Sequence, residues 1–150
     1  MIDVNIRQVD KHDVDGCYRT ESACYTSDGA TREKILKRIM LFPEGFLIAE
    51  SEGEIVGLIN SASTNKENIT DEELKDMVGH DNNGGNMVIF SLAVLPDFQG
   101  NGIPKQLMAR FIEVSKALKK EKILLICKSD LIPYYQDYGF LYGGKSKSKH

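Results

Sequence analysis

The chain has 150 residues, of which 41% are hydrophobic and 27% charged, with 13 glycines and 4 prolines. This length and this composition are typical of one globular domain, and they exclude a fibrous or largely disordered chain. A formal net charge of -3 excludes a general electrostatic affinity for nucleic acid.

The cysteines and the first residues bear on the cellular location. Three cysteines form no C-x-x-C pair and no cysteine-histidine ligand spacing, so the sequence predicts neither a disulfide framework nor a metal site. Residues 1–13 alternate apolar and polar side chains and lack the apolar core of a signal peptide. No stretch approaches the roughly 20 apolar residues that span a bilayer. We therefore expect a cytoplasmic protein with no membrane partner.

The first 60 residues predict a strand, two helices and a hairpin. Residues 2–9 form the predicted strand, and Asp10 caps a helix that runs to about Tyr25. Thr31 caps a second helix, which Pro43 ends. The apolar runs at residues 46–50 and 54–60 are separated by a short turn that contains glycine, which indicates two antiparallel strands.

The segment at residues 64–86 is less apolar than its surroundings. A capping-box pattern predicts a short helix near residues 70–79, and a glycine- and asparagine-rich loop follows at residues 80–86. A connection of this length in a small domain is usually functional or disordered. We interpret it as an insertion, which acts either as a lid over an acceptor site or as a tolerated loop without function.

The second half of the chain predicts a βαβ unit. Residues 87–95 are almost continuously apolar, as in a central strand covered on both faces. Residues 103–120 carry apolar side chains at helical spacing, and residues 123–127 form the next buried strand. A short helix at residues 131–137 and the start of a last strand at residues 140–142 complete the pattern.

The turn at residues 99–104 lies between the central strand and the long helix. Unpaired amides and the positive end of the helix dipole make such a helix start a site for anions, and Gly100 and Gly102 allow a diphosphate to approach the main chain. The turn is not a P-loop, because no GK[ST] follows. A dinucleotide fingerprint requires a glycine where Lys105 stands, although Glu121 lies at a suitable distance for a ribose partner.

This turn, Gln99-Gly100-Asn101-Gly102-Ile103-Pro104, resembles the Q/R-x-x-G-x-G/A motif of the GNAT superfamily of N-acetyltransferases, and the resemblance covers nearly the whole chain. It implies an α/β (α+β) GNAT fold over one domain, residues 1–150. The implied fold has a mixed, mostly antiparallel sheet of six to seven strands and about four helices, with a splayed parallel pair, strands four and five, at the CoA site. The family's final strand has no counterpart after residue 142 of this sequence. Either the given chain is shortened at its end, or a second protomer in a homodimer or a changed sheet edge supplies that pairing.

The resemblance implies acetyl-CoA as co-substrate and no metal. The main chains of Leu92 and Val94 would bind the pantetheine arm by strand addition. Pro104 departs from the family motif because it lacks an N–H, and the amides of Lys105 and Gln106 or the Lys105 ammonium would compensate. The cofactor-binding residues predicted in this way are Leu92, Ala93, Val94, Gln99, Gly100, Asn101, Gly102, Ile103, Pro104 and Lys105.

A second block, residues 133–140, resembles the family's Y-x-x-x-G-F signature. By this resemblance Tyr135 is the general acid that protonates the departing CoA thiolate, a role that suits a phenol. Details of both blocks are most similar to the arylalkylamine N-acetyltransferase branch. Two histidines of that branch correspond here to Val88 and Phe90, which cannot accept a proton.

The expected activity is transfer of an acetyl group from acetyl-CoA to a primary amine of a small molecule, of the arylalkylamine or polyamine type. His80 in the loop and Glu54 at a strand start are the candidates for the general base. An acidic stretch at residues 44–81 suits a cationic acceptor, and a lysine-rich stretch at residues 105–128 suits an anionic cofactor. A CoA-binding module with weak or no catalysis, an acetyltransferase for peptide or protein amines, and an NAD-type module are the alternatives.

Overall fold

Five strands form one mixed sheet in the computed structural model, which describes residues 3–25, 29–65, 77, 80–125 and 132–136. The sheet order is β1-β2-β3-β4-β5, in which β4 and β5 are parallel and the other neighbours are antiparallel. The strands are β1 (Asn5–Gln8), β2 (Leu47–Ser51), β3 (Glu54–Thr64), β4 (Asn86–Val94) and β5 (Lys122–Leu125). The helices are α1 (Val14–Cys24), α2 (Arg32–Leu41), α3 (Ile103–Ala117) and the short α4 (Ile132–Gln136).

The parallel pairing of the fourth and fifth strands confirms that part of the predicted fold. The sheet has five strands within the described residues, not the six to seven predicted. The predicted helix near residues 70–79 and the last strand at residues 140–142 lie outside the residues that the structure describes, apart from Met77. Strand β3 continues four residues beyond its predicted end, because residues 61–64 pair with the first residues of β4.

Local sequence signals place the element boundaries in the first half. Asp10 forms a capping box with Asp13 at the 3-10 turn Lys11–Asp13, which leads directly into α1. The Thr31 side chain accepts a hydrogen bond from the Lys34 amide and so begins α2. In the hairpin turn, Glu52 and Gly53 both have positive φ, 51° and 80°, as the twist of a two-residue hairpin connection requires.

Both faces of the sheet are covered by helices. On one face, the buried side chains of α3 pack on β2, β3 and β4 around Phe111, Leu107 and Ile103. On the other face, α1 and α2 bury Cys17, Ile35 and Ile39 against the sheet and its neighbours. Covering both faces accounts for the nearly unbroken apolar character of β3 and β4.

Residues 80–86, predicted as a flexible loop, are held by hydrogen bonds. The Asp81 amide donates to Ser63 O at 2.8 Å, and the Glu121 amide donates to Gly85 O at 2.6 Å. Lys120 Nζ donates to Ser63 Oγ and to two loop carbonyls, of Asn82 and Gly84. This part of the segment is therefore fixed to β3 and to the end of α3. The rest of the predicted insertion at residues 64–86, namely residues 66–76, 78 and 79, lies outside the described residues.

The two described cysteines differ in burial, which gives a first testable expectation. Cys17 is fully buried, and this burial raises the pKa of its thiol well above the ordinary value. Cys24 is half-buried, and burial raises its pKa as well. Because thiolates are the reactive species, we expect a maleimide at neutral pH to label Cys24 slowly and Cys17 only after unfolding. Peptide mass mapping of native and urea-unfolded protein checks this, and rapid native labelling of Cys17 would contradict it.

Candidate functional site

The candidate cofactor site begins on strand β4, at Leu92 and Val94. The Leu95 amide donates to Val56 O on β3, so the carbonyls and amides of Leu92 and Val94 point away from β3, toward the β5 side of the sheet. Parallel pairing between β4 and β5 runs from Asn86 to Ile89 within the described residues. Leu92 and Val94 lie beyond this pairing, so both present their main-chain N–H and C=O groups toward the β5 side of the sheet.

Three side chains contact these carbonyls. Gln99 Nε2 donates to Val94 O at 3.2 Å, which fixes the turn against the strand that precedes it. The Cys24 thiol lies 3.1 Å from the same oxygen. The Tyr25 hydroxyl donates to Leu92 O at 3.2 Å, and burial is the main reason that the pKa of Tyr25 is raised. The end of α1 therefore lies beside the main chain that the sequence assigns to pantetheine.

The turn after β4 has the backbone geometry that its glycines predict. Gly100 and Gly102 both have positive φ, 80° and 75°, and a side chain at either position would extend into open space. The Asn101 side-chain amide donates to Phe98 O and Gln99 O and stabilises the turn from within. A bare main chain facing open space is the surface that a diphosphate can approach closely.

The N-terminus of α3 has no side-chain cap. Its first main-chain bond joins the Gln106 amide to Gly102 O at 3.2 Å, so the amides of Gly102, Ile103 and Lys105 precede the helical ladder. Pro104 occupies the first turn without an N–H, as expected. The expectation that the Gln106 amide compensates for Pro104 is wrong, because that amide forms the first helical bond. The Lys105 amide and the Lys105 ammonium are the donors that remain for this role.

Ile103 anchors this helix start. Its side chain is fully buried, and Gly57 on β3 lies so close that an added Cβ would be 3.2 Å from Ile103 and from Leu107. Ala93, also predicted at the cofactor site, is buried on the α1 and α2 face of the sheet. Both residues can therefore serve the site only through their main chains, while Lys105 is exposed.

Tyr135 lies on α4, which follows β5. The residue is partly buried and packs against the hydrophobic cluster that also contains Val94 and Ile103. This cluster is the core on the α3 face of the sheet. The position is compatible with a phenol that serves the cofactor side of the sheet.

His80, one of the two predicted bases, lies far from the cofactor turn. His80 Nδ1 accepts from the Ser63 amide at 3.0 Å, its Nε2 contacts Asn82 Oδ1, and its ring packs at a tilt of 50° against the ring of Phe42. Ser63 pairs with Met87, seven residues before Val94 and hence about 23 Å along the strand. Both ring nitrogens thus have partners in the loop at residues 80–86 or on the end of β3 beside it.

Glu54 lies in the hairpin turn region at the start of β3. Its carboxylate is half-exposed and forms a surface ion pair with Arg19 at 3.2 Å. Such an exposed pair contributes about 0–1 kcal/mol and is screened by salt. His80 contacts Ser63 near the end of β3 and Glu54 lies at the start of β3, so the structure does not bring the two candidate bases together.

A buried polar cluster near Leu92 was not predicted as functional. Ser91 Oγ donates to Glu21 Oε1 at 2.8 Å and lies 3.1 Å from Asn60 Oδ1. All three residues are at least nine-tenths buried. The sequence did contain one signal, because Glu21 falls at helical spacing with Cys17 and Cys24 on an otherwise apolar helix face.

The two positions that lack the histidines of the arylalkylamine branch are both on β4. Val88 is 5% exposed and belongs to the core, and Phe90 lies beneath the Arg38 guanidinium, 4.5 Å from the ring centroid. Within the described residues, no group of three or more histidine, cysteine or acidic side chains is arranged to hold a metal ion. Across the same residues, no helix is long and apolar enough to cross a membrane.

Comparison with known proteins gives similar sequences and similar folds. Residues 14–140 match the model of the "Acetyltransferase (GNAT) family". "Probable hydrolase YhcX" of Bacillus subtilis (strain 168) is 26% identical over 141 residues, which are 89% of this chain and 27% of that protein. The chain thus spans about a quarter of the length of this curated relative.

Two solved structures show the same fold. The loading GNATL domain of CurA from Lyngbya majuscula has a TM-score of 0.78 and 23% identity, over 89% of this chain and 69% of the other. The GphF GNAT-like decarboxylase in complex with isobutyryl-CoA has a TM-score of 0.75 and 20% identity, over 92% and 73%. With the family match over most of its length, its parallel β4-β5 pair and its uncapped glycine turn, the chain belongs to the acetyltransferase (GNAT) family.

Proposed function

We propose that this chain transfers an acetyl group from acetyl-CoA to a primary amine of a small molecule while both substrates are bound. The observation that carries the proposal is the helix start at residues 99–105. Three main-chain amides precede the helical ladder there, next to two glycines with positive φ. A diphosphate fits this surface because it is anionic and needs close main-chain approach.

The remainder of the cofactor would extend along β4. The outward-pointing main chains of Leu92 and Val94 can pair with the amides of a pantetheine arm in the manner of an added strand. This pairing would compete with Tyr25 for Leu92 O and with Gln99 and Cys24 for Val94 O, unless each carbonyl accepts two bonds. The arm would direct the thioester toward the middle of β4.

In the proposed reaction, the amine nitrogen attacks the thioester carbonyl and the carbon-sulfur bond breaks. The acetyl group passes to nitrogen, and Tyr135 donates its phenolic proton to the departing thiolate. Holding the two reactants together contributes a large part of the rate, since proximity can supply about 7–11 kcal/mol. A small cationic amine of the arylalkylamine or polyamine type remains our proposal for the acceptor, ahead of a peptide amine.

A CoA-binding module with weak catalysis is the second candidate. Pro104 removes one amide donor, and Val88 and Phe90 stand where the similar branch carries histidines. Both differences affect catalysis or affinity without removing the turn. Binding of acetyl-CoA without acetylation across a broad amine panel would favour this candidate.

Thermal melts with acetyl-CoA and with NAD test the cofactor, and a CoA-release assay across an amine panel tests the reaction. We expect a rise in Tm with acetyl-CoA, no rise with NAD, and release of CoA with at least one small amine. A ligand at 100 times its dissociation constant stabilises the native state by about 2.7 kcal/mol. No shift with acetyl-CoA would contradict the proposed function at its first step.

A further inference from the structure

Glu21 is a carboxylate buried in an apolar layer. It lies on α1 and is 3% exposed, among side chains that include Cys17 and Cys24. Its two oxygens accept from different donors, Oε1 from the Ser91 hydroxyl at 2.8 Å and Oε2 from the Ala30 amide at 3.0 Å. Burial of a carboxylate is costly unless it is paired or hydrogen-bonded, so these contacts require explanation.

Ser91 connects this carboxylate to the strand of the cofactor site. It directly precedes Leu92, whose main chain points toward the β5 side. Asn60 pairs with Ser91, but the next pair joins Ser61 to Ile89, so Phe90 is an extra residue on β4. Such a bulge redirects side chains and is frequent next to active sites.

Asn60 contributes to the cluster a buried amide nitrogen that has no hydrogen-bond partner among the described residues. Asn60 is fully buried, and its Nδ2 has no hydrogen-bond acceptor among the described residues, while its Oδ1 lies near both the Ser91 hydroxyl and Arg38 Nη1. Buried donors are almost always satisfied in native proteins. A substrate atom or a water held beside it would complete this network.

We propose that Ser91 and Glu21 form the proton acceptor for the attacking amine, a role that rests on the proposed acetyl transfer. Before attack, the bound ammonium passes one proton to Ser91 Oγ while the Ser91 proton passes to Glu21 Oε1, which frees the nitrogen lone pair. The second N–H proton leaves to solvent after nitrogen has bonded to the acetyl carbon, as Tyr135 protonates the thiolate. The proton balance closes, because Glu21 ends as a carboxylic acid that later releases its proton to solvent. Ser91 contacts the substrate, and Glu21 acts through it.

The charged and titratable groups that face Glu21 come from several elements. Arg38 of α2 lies over Phe90 and contributes a positive charge to the cluster. Cys17, Cys24 and Tyr25 lie on or next to α1, and the negative charge of Glu21 contributes to raising the pKa of each. These three groups are neutral at pH 7, so Arg38 and Glu21 dominate the local field.

A purely structural role for Glu21 makes a different prediction. Its bond to the Ala30 amide connects α1 to the segment before α2, and loss of this bond would displace both helices at every pH. A proton acceptor matters only while the amine carries the proton to be removed. The dependence of activity on pH and on amine basicity therefore separates the two roles.

The experiment compares kcat/KM from pH 6 to pH 10 for the wild-type chain, Glu21→Gln and Ser91→Ala. Each is assayed with the most active amine and with a less basic, fluorinated analogue of it. We expect both variants to lose about 100-fold at pH 7 with the basic amine, the low end for general base catalysis because the base acts through a hydroxyl. The loss should shrink at high pH and with the fluorinated amine. Asp15→Asn, an exposed carboxylate on the same helix, is the matched control.

A loss that is equal at all pH values and for both amines would overturn the proposal, as would a loss below about threefold in both variants. Melts with acetyl-CoA check that each variant folds and binds the cofactor. If Glu21→Gln does not fold, Ser91→Ala decides alone, since it leaves the carboxylate and its bond to Ala30 in place. Failure of the wild-type chain to bind acetyl-CoA would refute the proposed function and is distinguished in the same melts.

Discussion

Replacement of Tyr135 by phenylalanine is expected to lower kcat by about 10²- to 10³-fold with little change in the affinity for acetyl-CoA. The variant removes one hydroxyl and retains the ring that packs against the core cluster containing Val94 and Ile103. Without a proton donor, the strongly basic CoA thiolate is a poor leaving group, so only the chemical step slows. Steady-state kinetics and an acetyl-CoA melt, measured on the same preparation, give both quantities.

Two other tyrosines supply the controls for this prediction. Tyr18 is exposed on α1, and Tyr18→Phe should have wild-type activity. The Tyr25 hydroxyl donates to Leu92 O, a carbonyl of the main chain assigned to pantetheine. If Tyr25→Phe lowers kcat and Tyr135→Phe does not, the acid is Tyr25 and the role taken from the family resemblance is wrong.

Replacement of Gly102 by alanine is expected to weaken acetyl-CoA binding by about 10²-fold, equivalent to about 2.7 kcal/mol. Gly102 has φ 75° and begins α3, and the added methyl group would meet no protein atom within 4 Å. It would instead fill the space that the proposed diphosphate needs beside the amides of Gly102 and Ile103. Hydrogen bonds to a charged group contribute about 1.5–3 kcal/mol each, so displacement of one or two accounts for the loss.

The control variant Gly53→Ala separates the effect of backbone strain from the steric exclusion of the diphosphate that we expect in Gly102→Ala. Gly53 has φ 80° and an equally open surrounding, but it lies in the hairpin turn between β2 and β3. Each variant should lose about 1–2 kcal/mol of stability, because a left-handed conformation is costly for alanine. Isothermal titration should show weakened acetyl-CoA binding in Gly102→Ala only. If both variants bind acetyl-CoA with equal affinity, the diphosphate does not bind at the Gly102 turn.

Much of the proposed cofactor site was predictable because it is local. A glycine turn followed by an amphipathic helix reads directly from residues 99–117, and main-chain amides at a helix start need no distant partner. The same holds for the caps Asp10 and Thr31 and for the hairpin turn at Glu52 and Gly53. In each case a few adjacent residues determine the backbone conformation.

The acceptor side was predicted less well because it depends on residues far apart in the chain. The sequence favours His80 and Glu54 as bases because of their chemical type and their loop or edge positions. The fold instead satisfies His80 with Ser63 and Asn82 and pairs Glu54 with Arg19. Glu21 and Ser91, which are 70 residues apart, meet only because α1 packs across β4. No spacing of residue types along the chain predicts the contact between Glu21 and Ser91.

The sequence by itself determined the glycine turn at residues 99–104, the helix that follows it and the order of the elements. Hydrophobic periodicity, glycine positions and helix caps act between residues that are close in the sequence, so they can be identified without the fold. Only the tertiary structure decided which polar groups are buried together and which carbonyls of β4 are contacted by α1. Burial and hydrogen bonding between distant residues depend on how the helices pack on the sheet. For that reason the turn at Gly102 was readable from the sequence, and the pairing of Glu21 with Ser91 was not.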